Sequence, residues 1–170
     1  MFDVGGGAVI AREPVSATKS FPKPPHTDDN QGASLVRVLV VDDYEPFRRF
    51  VCSTLGIRPD LQVVGEVSDG LEAVQKSAEL QPDLIVLDIG LPSLNGIEAA
   101  RRIRKLSPKS KILFASQESS ADIVQQALSS GGLGYVVKAH AGSEFLTAVE
   151  AVLRNEQFVS SALKASDGLL

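Results

Sequence analysis

The 170-residue chain predicts an α/β protein: a doubly wound parallel sheet of five strands, with five helices over its two faces. Two observations predict it. Short, continuous apolar runs rich in Val, Ile and Leu recur along the chain, as strands buried on both faces require. Segments with apolar residues at helical spacing separate them, and strand–helix alternation implies a parallel sheet covered on both sides. Composition agrees, with 44% apolar and 22% charged residues, the balance of a soluble globular domain.

The first run is "LVRVLVV" (35–41), followed by a helical face of Phe47, Phe50, Val51 and Leu55. "LQVVGEV" (61–67), "DLIVLD" (83–88) and "KILFAS" (111–116) are the next three strands. Ile123, Val124, Ala127 and Leu128 share a fourth helical face, with Ser119 and Asp122 as its opening pair. Gly131, Gly132 and Gly134 lead into the fifth strand, "GYVVK" (134–138). Phe145, Leu146, Val149, Val152 and Leu153 give the clearest stripe. All these stripes read as core. Residues 1–34 hold Pro14, Pro22, Pro24, Pro25 and a triple glycine without periodicity, which predicts a disordered extension. The folded domain is expected over 35–158, and 159–170 as a short tail without an output domain.

Several function classes are disfavoured. A net charge of −4 does not suit a broad nucleic-acid face, and Arg101, Arg102, Arg104 and Lys105 read as a solvated helix surface. The single cysteine, Cys52, forms no internal disulfide or cysteine-rich metal site and reads as a packed thiol, consistent with a reducing cytoplasm. His26 and His140 lack ligand spacing. No apolar run has membrane-spanning length, and the start lacks a signal-peptide pattern.

In open parallel sheets, ligands bind beyond the carboxyl ends of the strands. The runs close on Asp42–Asp43, Asp88, Ser116 and Lys138, while the second closes on Val67–Ser68 and offers little. Each residue alone reads as a cap or turn residue. Together they bring three carboxylates, a hydroxyl and an ammonium to one sheet edge. Adjacent acids repel and resist desolvation. A hard divalent cation such as Mg²⁺ would balance them.

"VLVVDDYEPF", "PDLIVLDIGLPSLNGIEAARRIR", "KILFAS" and "GYVVK" resemble the receiver domain of bacterial two-component response regulators, most of all those that precede a LuxR-type helix-turn-helix. The resemblance runs from Leu35 to Phe158 and implies a flavodoxin-like sheet of order 2-1-3-4-5. It implies that Asp88 accepts a phosphoryl group from a sensor histidine kinase or histidine phosphotransfer protein. Asp42 and Asp43, with Asp88 and the backbone carbonyl of Gly90, would hold Mg²⁺. The Ser116 hydroxyl would turn towards the phosphoryl group, Lys138 would pair with it, and Tyr135 would move inward as the hydroxyl moves. A carboxylate is a competent nucleophile once the charge on the transferring oxygens is neutralised, and the work is mainly positioning and electrostatics.

The fourth helix, fifth strand and fifth helix, roughly residues 118–154, would form the switched surface, open to a homodimer or a downstream protein. The implied protein is a cytoplasmic phosphoacceptor. It is not an enzyme beyond autophosphorylation from small donors and autodephosphorylation. No membrane contact and no direct DNA binding are expected.

Some positions depart from the family. Ala139 follows Lys138 where many receivers have proline, and a family-like cis bond there would be costly. Gln117 follows Ser116 where a small residue is common, and would slow access of water to an acyl phosphate. The last helix, in "KAHAGSEF", lacks a strong N-cap, so its first turn is expected to fray.

Four matching strand ends in order weigh against mere caps and a surface lysine. A degenerate receiver would lack one of these groups. A Mg-dependent aspartyl-phosphate phosphatase would need an Asp-x-Asp pair that "DDYEP" lacks, and a flavin carrier needs a phosphate-cradling loop in place of this anionic one. A stand-alone receiver and a receiver fragment of a DNA-binding LuxR-type regulator both stay open.

Overall fold

The computed structural model of the chain describes Gly32 and residues 34–166. Apart from Gly32 and Ser34, the expected N-terminal extension lies outside the described residues, as do residues 167–170 of the tail.

Five strands alternate with helices as the sequence predicts. They are β1 (Val36–Val41), β2 (Leu61–Val67), β3 (Leu84–Leu87), β4 (Lys111–Ser116) and β5 (Gly132–Val137). The helices are α1 (Glu45–Leu55), α2 (Gly70–Leu80), α3 (Gly96–Leu106), α4 (Ala121–Ser129) and α5 (Ala141–Leu153). The expectation of five strands and five helices falls short by one of each. A two-residue strand, β6 (Phe158–Val159), adds in parallel to β5, and a short helix, α6 (Ser161–Ser166), follows it. The order is β2-β1-β3-β4-β5-β6. A strand of two residues shows no period of its own; its neighbours hold it in place.

Successive strand residues face opposite ways, so each buried strand feeds two cores. Leu39, Val41, Ile85 and Leu87 join Ala73, Ile103, Val124 and Leu163 in one cluster, which puts α2, α3, α4 and α6 on that face. Val38, Val40, Leu84 and Val86 join Val51, Leu55, Phe145 and Val149 in the other, under α1 and α5. Burying each large apolar side chain contributes roughly 1.5–3 kcal/mol. The continuous apolar runs are continuous because both faces are dry.

Helix starts are specified locally. Asp69 caps α2, accepting from the N–H groups of Leu71 and Glu72 at 2.8 and 3.1 Å. Asn95 caps α3 through the Glu98 N–H at 3.0 Å. Ser120, not Ser119, opens α4, its Oγ accepting from the Ile123 N–H at 3.4 Å. α5 has no side-chain cap and is entered through a 3-10 turn, Lys138–His140. No cis peptide occurs among the described residues, Lys138–Ala139 included.

On the exposed face of α3, Arg101 and Arg102 pair with Glu98 at 3.2 and 3.4 Å, as a solvated helix surface does. The face expected to be free over α4 and β5 is partly covered, because β6 lines the outer side of β5 and Leu163 of α6 packs in the α4 core.

Candidate functional site

Strand order reverses between β1 and β3, the place where an open sheet leaves a crevice. Asp42 follows β1 and Asp88 follows β3. Backbone hydrogen bonds fix both: the Asp42 N–H reaches the Val67 carbonyl at 3.0 Å, and the Asp88 N–H the Val41 carbonyl at 2.9 Å. α3 begins hard against the Asp88 backbone. A Cβ on Gly96 would lie 1.9 Å from the Asp88 carbonyl oxygen, so only glycine allows this approach.

Asp42, Asp43 and Asp88 each offer a carboxylate oxygen within 4.8 Å of one another. Asp42 and Asp88 are buried, and Asp43 is exposed. Lys138 Nζ lies 2.7 Å from Asp42 Oδ2 and 3.1 Å from Asp88 Oδ2. Its ammonium also sits over the Phe47 ring, 4.6 Å from the centroid, a favourable arrangement for a cation. The second oxygens are oriented by backbone donors: Tyr44 N–H to Asp42 Oδ1 at 2.9 Å, and Ile89 N–H to Asp88 Oδ1 at 2.7 Å. Burial lifts the Asp42 carboxyl above its ordinary value, opposed by the Lys138 hydrogen bond and assisted by the charge of Asp88. Two acids with one lysine are tolerable here; a third acid asks for a further cation.

The donor set fits Mg²⁺. It is all hard carboxylate oxygen, and each carboxylate has about four acceptor sites, of which Tyr44 and Lys138 occupy two on Asp42. Gly90 is exposed in the loop after β3, with open space where a Cβ would be.

On the other side of Asp88, Ser116 ends β4 in register with Val137, one residue before Lys138. Its Oγ accepts from the Glu118 N–H at 3.2 Å. Tyr135 is fully buried and stacks at a tilt on Phe114, with centroids 6.3 Å apart. Its hydroxyl donates to the Glu118 carbonyl at 2.8 Å. Burial pushes this phenol up to about 12. The Tyr135 ring thus sits inside the protein, and the Glu118 carbonyl satisfies its buried hydroxyl.

Asp42, Asp43, Asp88, Ser116 and Lys138, the residues grouped from the strand ends, all lie at the carboxyl edge of the sheet, whereas Tyr135 lies within β5. Sequence reasoning missed Phe47, read only as core, and the backbone of Glu118. It also missed Arg48, which donates to the Asp42 carbonyl at 2.7 Å; an arginine one turn into the helix after paired acids was a usable signal. Gln117 lines a cleft of about 370 Å³ beside Lys138, with Tyr44, Phe47 and Ala139. Cys52 is a half-buried thiol that donates to Glu66 Oε1 at 2.9 Å and is pushed up to about 12, chiefly by burial.

The profile of the response regulator receiver domain matches residues 38–150. The chain is 45% identical over 114 residues to the protein-glutamate methylesterase/protein-glutamine glutaminase of Thermotoga maritima, covering 66% of this chain and 33% of that protein. It is 33% identical over 127 residues to the transcriptional regulatory protein LiaR of Bacillus subtilis, covering 75% of this chain and 60% of that one. The chain thus spans between a third and three-fifths of the length of these two relatives. A crystal structure of a LuxR-family two-component response regulator from Aurantimonas sp. SI85-9A1 matches with a TM-score of 0.75 and 31% identity, over 79% of this chain and 96% of that one.

Proposed function

The chain belongs to the response regulator receiver family, and from that premise we propose that Asp88 is the residue that takes the phosphoryl group. The observation that carries the reading is the double contact of Lys138 with Asp42 and Asp88, 2.7 and 3.1 Å, at the reversal of strand order. An Asp88 oxygen attacks phosphorus and forms an O–P bond. The bond from phosphorus to the histidine nitrogen of the donor breaks, and the nitrogen keeps the electron pair. Lys138 stays beside the incoming oxygens and offsets their charge. Ser116, one strand over, offers a hydroxyl donor to them. The backbone N–H of Ile89 holds the carboxylate in orientation.

Asp42, Asp43 and Asp88, with the Gly90 carbonyl, would hold Mg²⁺, which when bound supplies positive charge for the transferring oxygens. The donor is a sensor histidine kinase or a histidine phosphotransfer protein, and the protein acts in the cytoplasm; among the described residues no helix is long and apolar enough to cross a membrane. The chain is a phosphoacceptor whose own chemistry is limited to autophosphorylation from small donors and autodephosphorylation. Switching over α4, β5 and α5 serves a homodimer or a downstream protein. A receiver belonging to a longer DNA-binding regulator is a second reading, favoured by the likeness to LiaR.

The test is incubation with acetyl phosphate and Mg²⁺ followed by intact mass. Wild type gains one phosphoryl group and Asp88→Asn gains none. The same adduct in Asp88→Asn would assign the nucleophile elsewhere.

A further inference from the structure

Ser160, between β6 and α6, is polar and fully buried. Its N–H donates to the Tyr135 carbonyl at 2.9 Å. Its Oγ accepts from the Val137 N–H at 2.9 Å and donates to Glu144 Oε2 at 2.5 Å. Glu144, on α5, also receives the N–H of Ser161 at 3.1 Å, together with the Ser161 hydroxyl. A hydroxyl whose donor and acceptor functions are both engaged in a dry site has little freedom to turn.

The backbone groups it holds are telling. Tyr135 is the aromatic tied to Ser116 through Glu118, and Val137 immediately precedes Lys138. α5 starts without a side-chain cap, and the far side of Lys138 is held through the backbone of the 3-10 turn, the Ala141 N–H donating to the Lys138 carbonyl. On the near side, β6 pairs with Gly134 and Tyr135, and the last N–H of β5 is held by one serine, that serine by one carboxylate. We propose that Ser160, clamped by Glu144, is a positioning residue for phosphoryl transfer. It fixes the strand end from which Lys138 and Tyr135 project and couples residues 158–166 to the state of Asp88. The inference rests on the reading of Asp88 as phosphoacceptor.

Lysine is long and flexible, so its ammonium reaches two carboxylates reproducibly only if its backbone is fixed. α6 extends the link, because Leu163 sits in the same buried cluster as Val124 of α4 and Tyr135. Coupling of this kind is reciprocal: what loosens residues 158–166 weakens the phosphoryl-bound arrangement, and the reverse.

The experiment uses the full chain and the variants Ser160→Ala, Glu144→Ala, Glu144→Gln and Asp88→Asn. Uptake from acetyl phosphate is followed by intact mass, and amide shifts are recorded with beryllofluoride and Mg²⁺. Ser160→Ala and Glu144→Ala should phosphorylate several-fold more slowly than wild type, as displacement of a positioned reacting group does. Glu144→Gln, which keeps an oxygen for Ser160, should recover most of the rate; a merely stabilising contact would not produce that pattern. Beryllofluoride should shift the amides of residues 158–166 in wild type, and in Ser160→Ala only those near Asp88. Wild-type rates and full shifts in both alanine variants would overturn the inference while leaving Asp88 in its role. Uptake unchanged in Asp88→Asn, or none in wild type, would overturn both. Should Ser160→Ala not fold, the two Glu144 variants decide.

Discussion

The hydroxyl of Tyr135 and the carbonyl of Glu118 form a 2.8 Å hydrogen bond that ties the β5 edge to the loop before α4. The N–H of Glu118 is in turn bound to Ser116 Oγ. Tyr135→Phe keeps the ring and deletes only this bond. It should lower stability by about 1 kcal/mol and speed amide exchange at residues 117–120. Exchange unchanged there would show that the loop is held by other contacts.

Free Mg²⁺ should raise the thermal midpoint of the wild type, because a ligand that binds only the folded state stabilises it. The gain is about 1 kcal/mol when free Mg²⁺ is about five times Kd. Asp43 is exposed, so Asp43→Asn should leave the metal-free midpoint nearly unaltered and abolish the Mg²⁺ response. A full response in that variant would remove Asp43 from the metal site.

Gly96→Ala places a Cβ 1.9 Å from the Asp88 carbonyl. Neither β3 nor the first turn of α3 can yield without moving the other. The substitution should cost about 3 kcal/mol, at the upper end for overpacking, and should slow phosphoryl uptake as the Asp88 backbone shifts. A denaturant melt alongside the mass assay separates the two effects.

Glu144 gives a pH signature. Burial would raise its carboxyl, but the hydrogen bonds from Ser160 and Ser161, aided by His140, hold it below the ordinary 4.5. A lowered acid contributes fully above its unfolded value and loses that contribution as pH falls through the folded one. Amide protection at residues 160–163 should therefore decline in wild type as the pH falls below the ordinary 4.5 and through the lowered Glu144 value. Glu144→Gln should show no such acid-dependent decline, and an identical decline in both would clear Glu144 of the effect.

The alternation of apolar runs made the first five strands and the site legible, because parallel strands deliver their closing residues to one edge. Asp42, Asp43, Asp88, Ser116 and Lys138 fall into one group from strand spacing alone. The cap of α4 was misplaced by one residue because two adjacent serines carry the same capping chemistry. β6, α6 and the Ser160 clamp were not legible: a two-residue strand has no period, and its anchorage comes from Glu144 and Val137, distant in the chain. The inward Tyr135 depends on a carbonyl partner at Glu118, and backbone partners leave no mark in a sequence.

An open strand edge is a template onto which a second chain can add a strand, in recognition or in aggregation. β5 is denied that use. Gly134 and Tyr135 pair with β6, and the last N–H of the strand, at Val137, is taken by the Ser160 hydroxyl. The sheet now ends in a strand of two residues, too short to serve as a template. At the opposite boundary, β2 displays Gln62 and Glu66 to solvent, and such polar and charged groups discourage pairing. Any partner of this protein at the β5 side must therefore read side chains, and contact there can be made and broken without the sheet ever being extended.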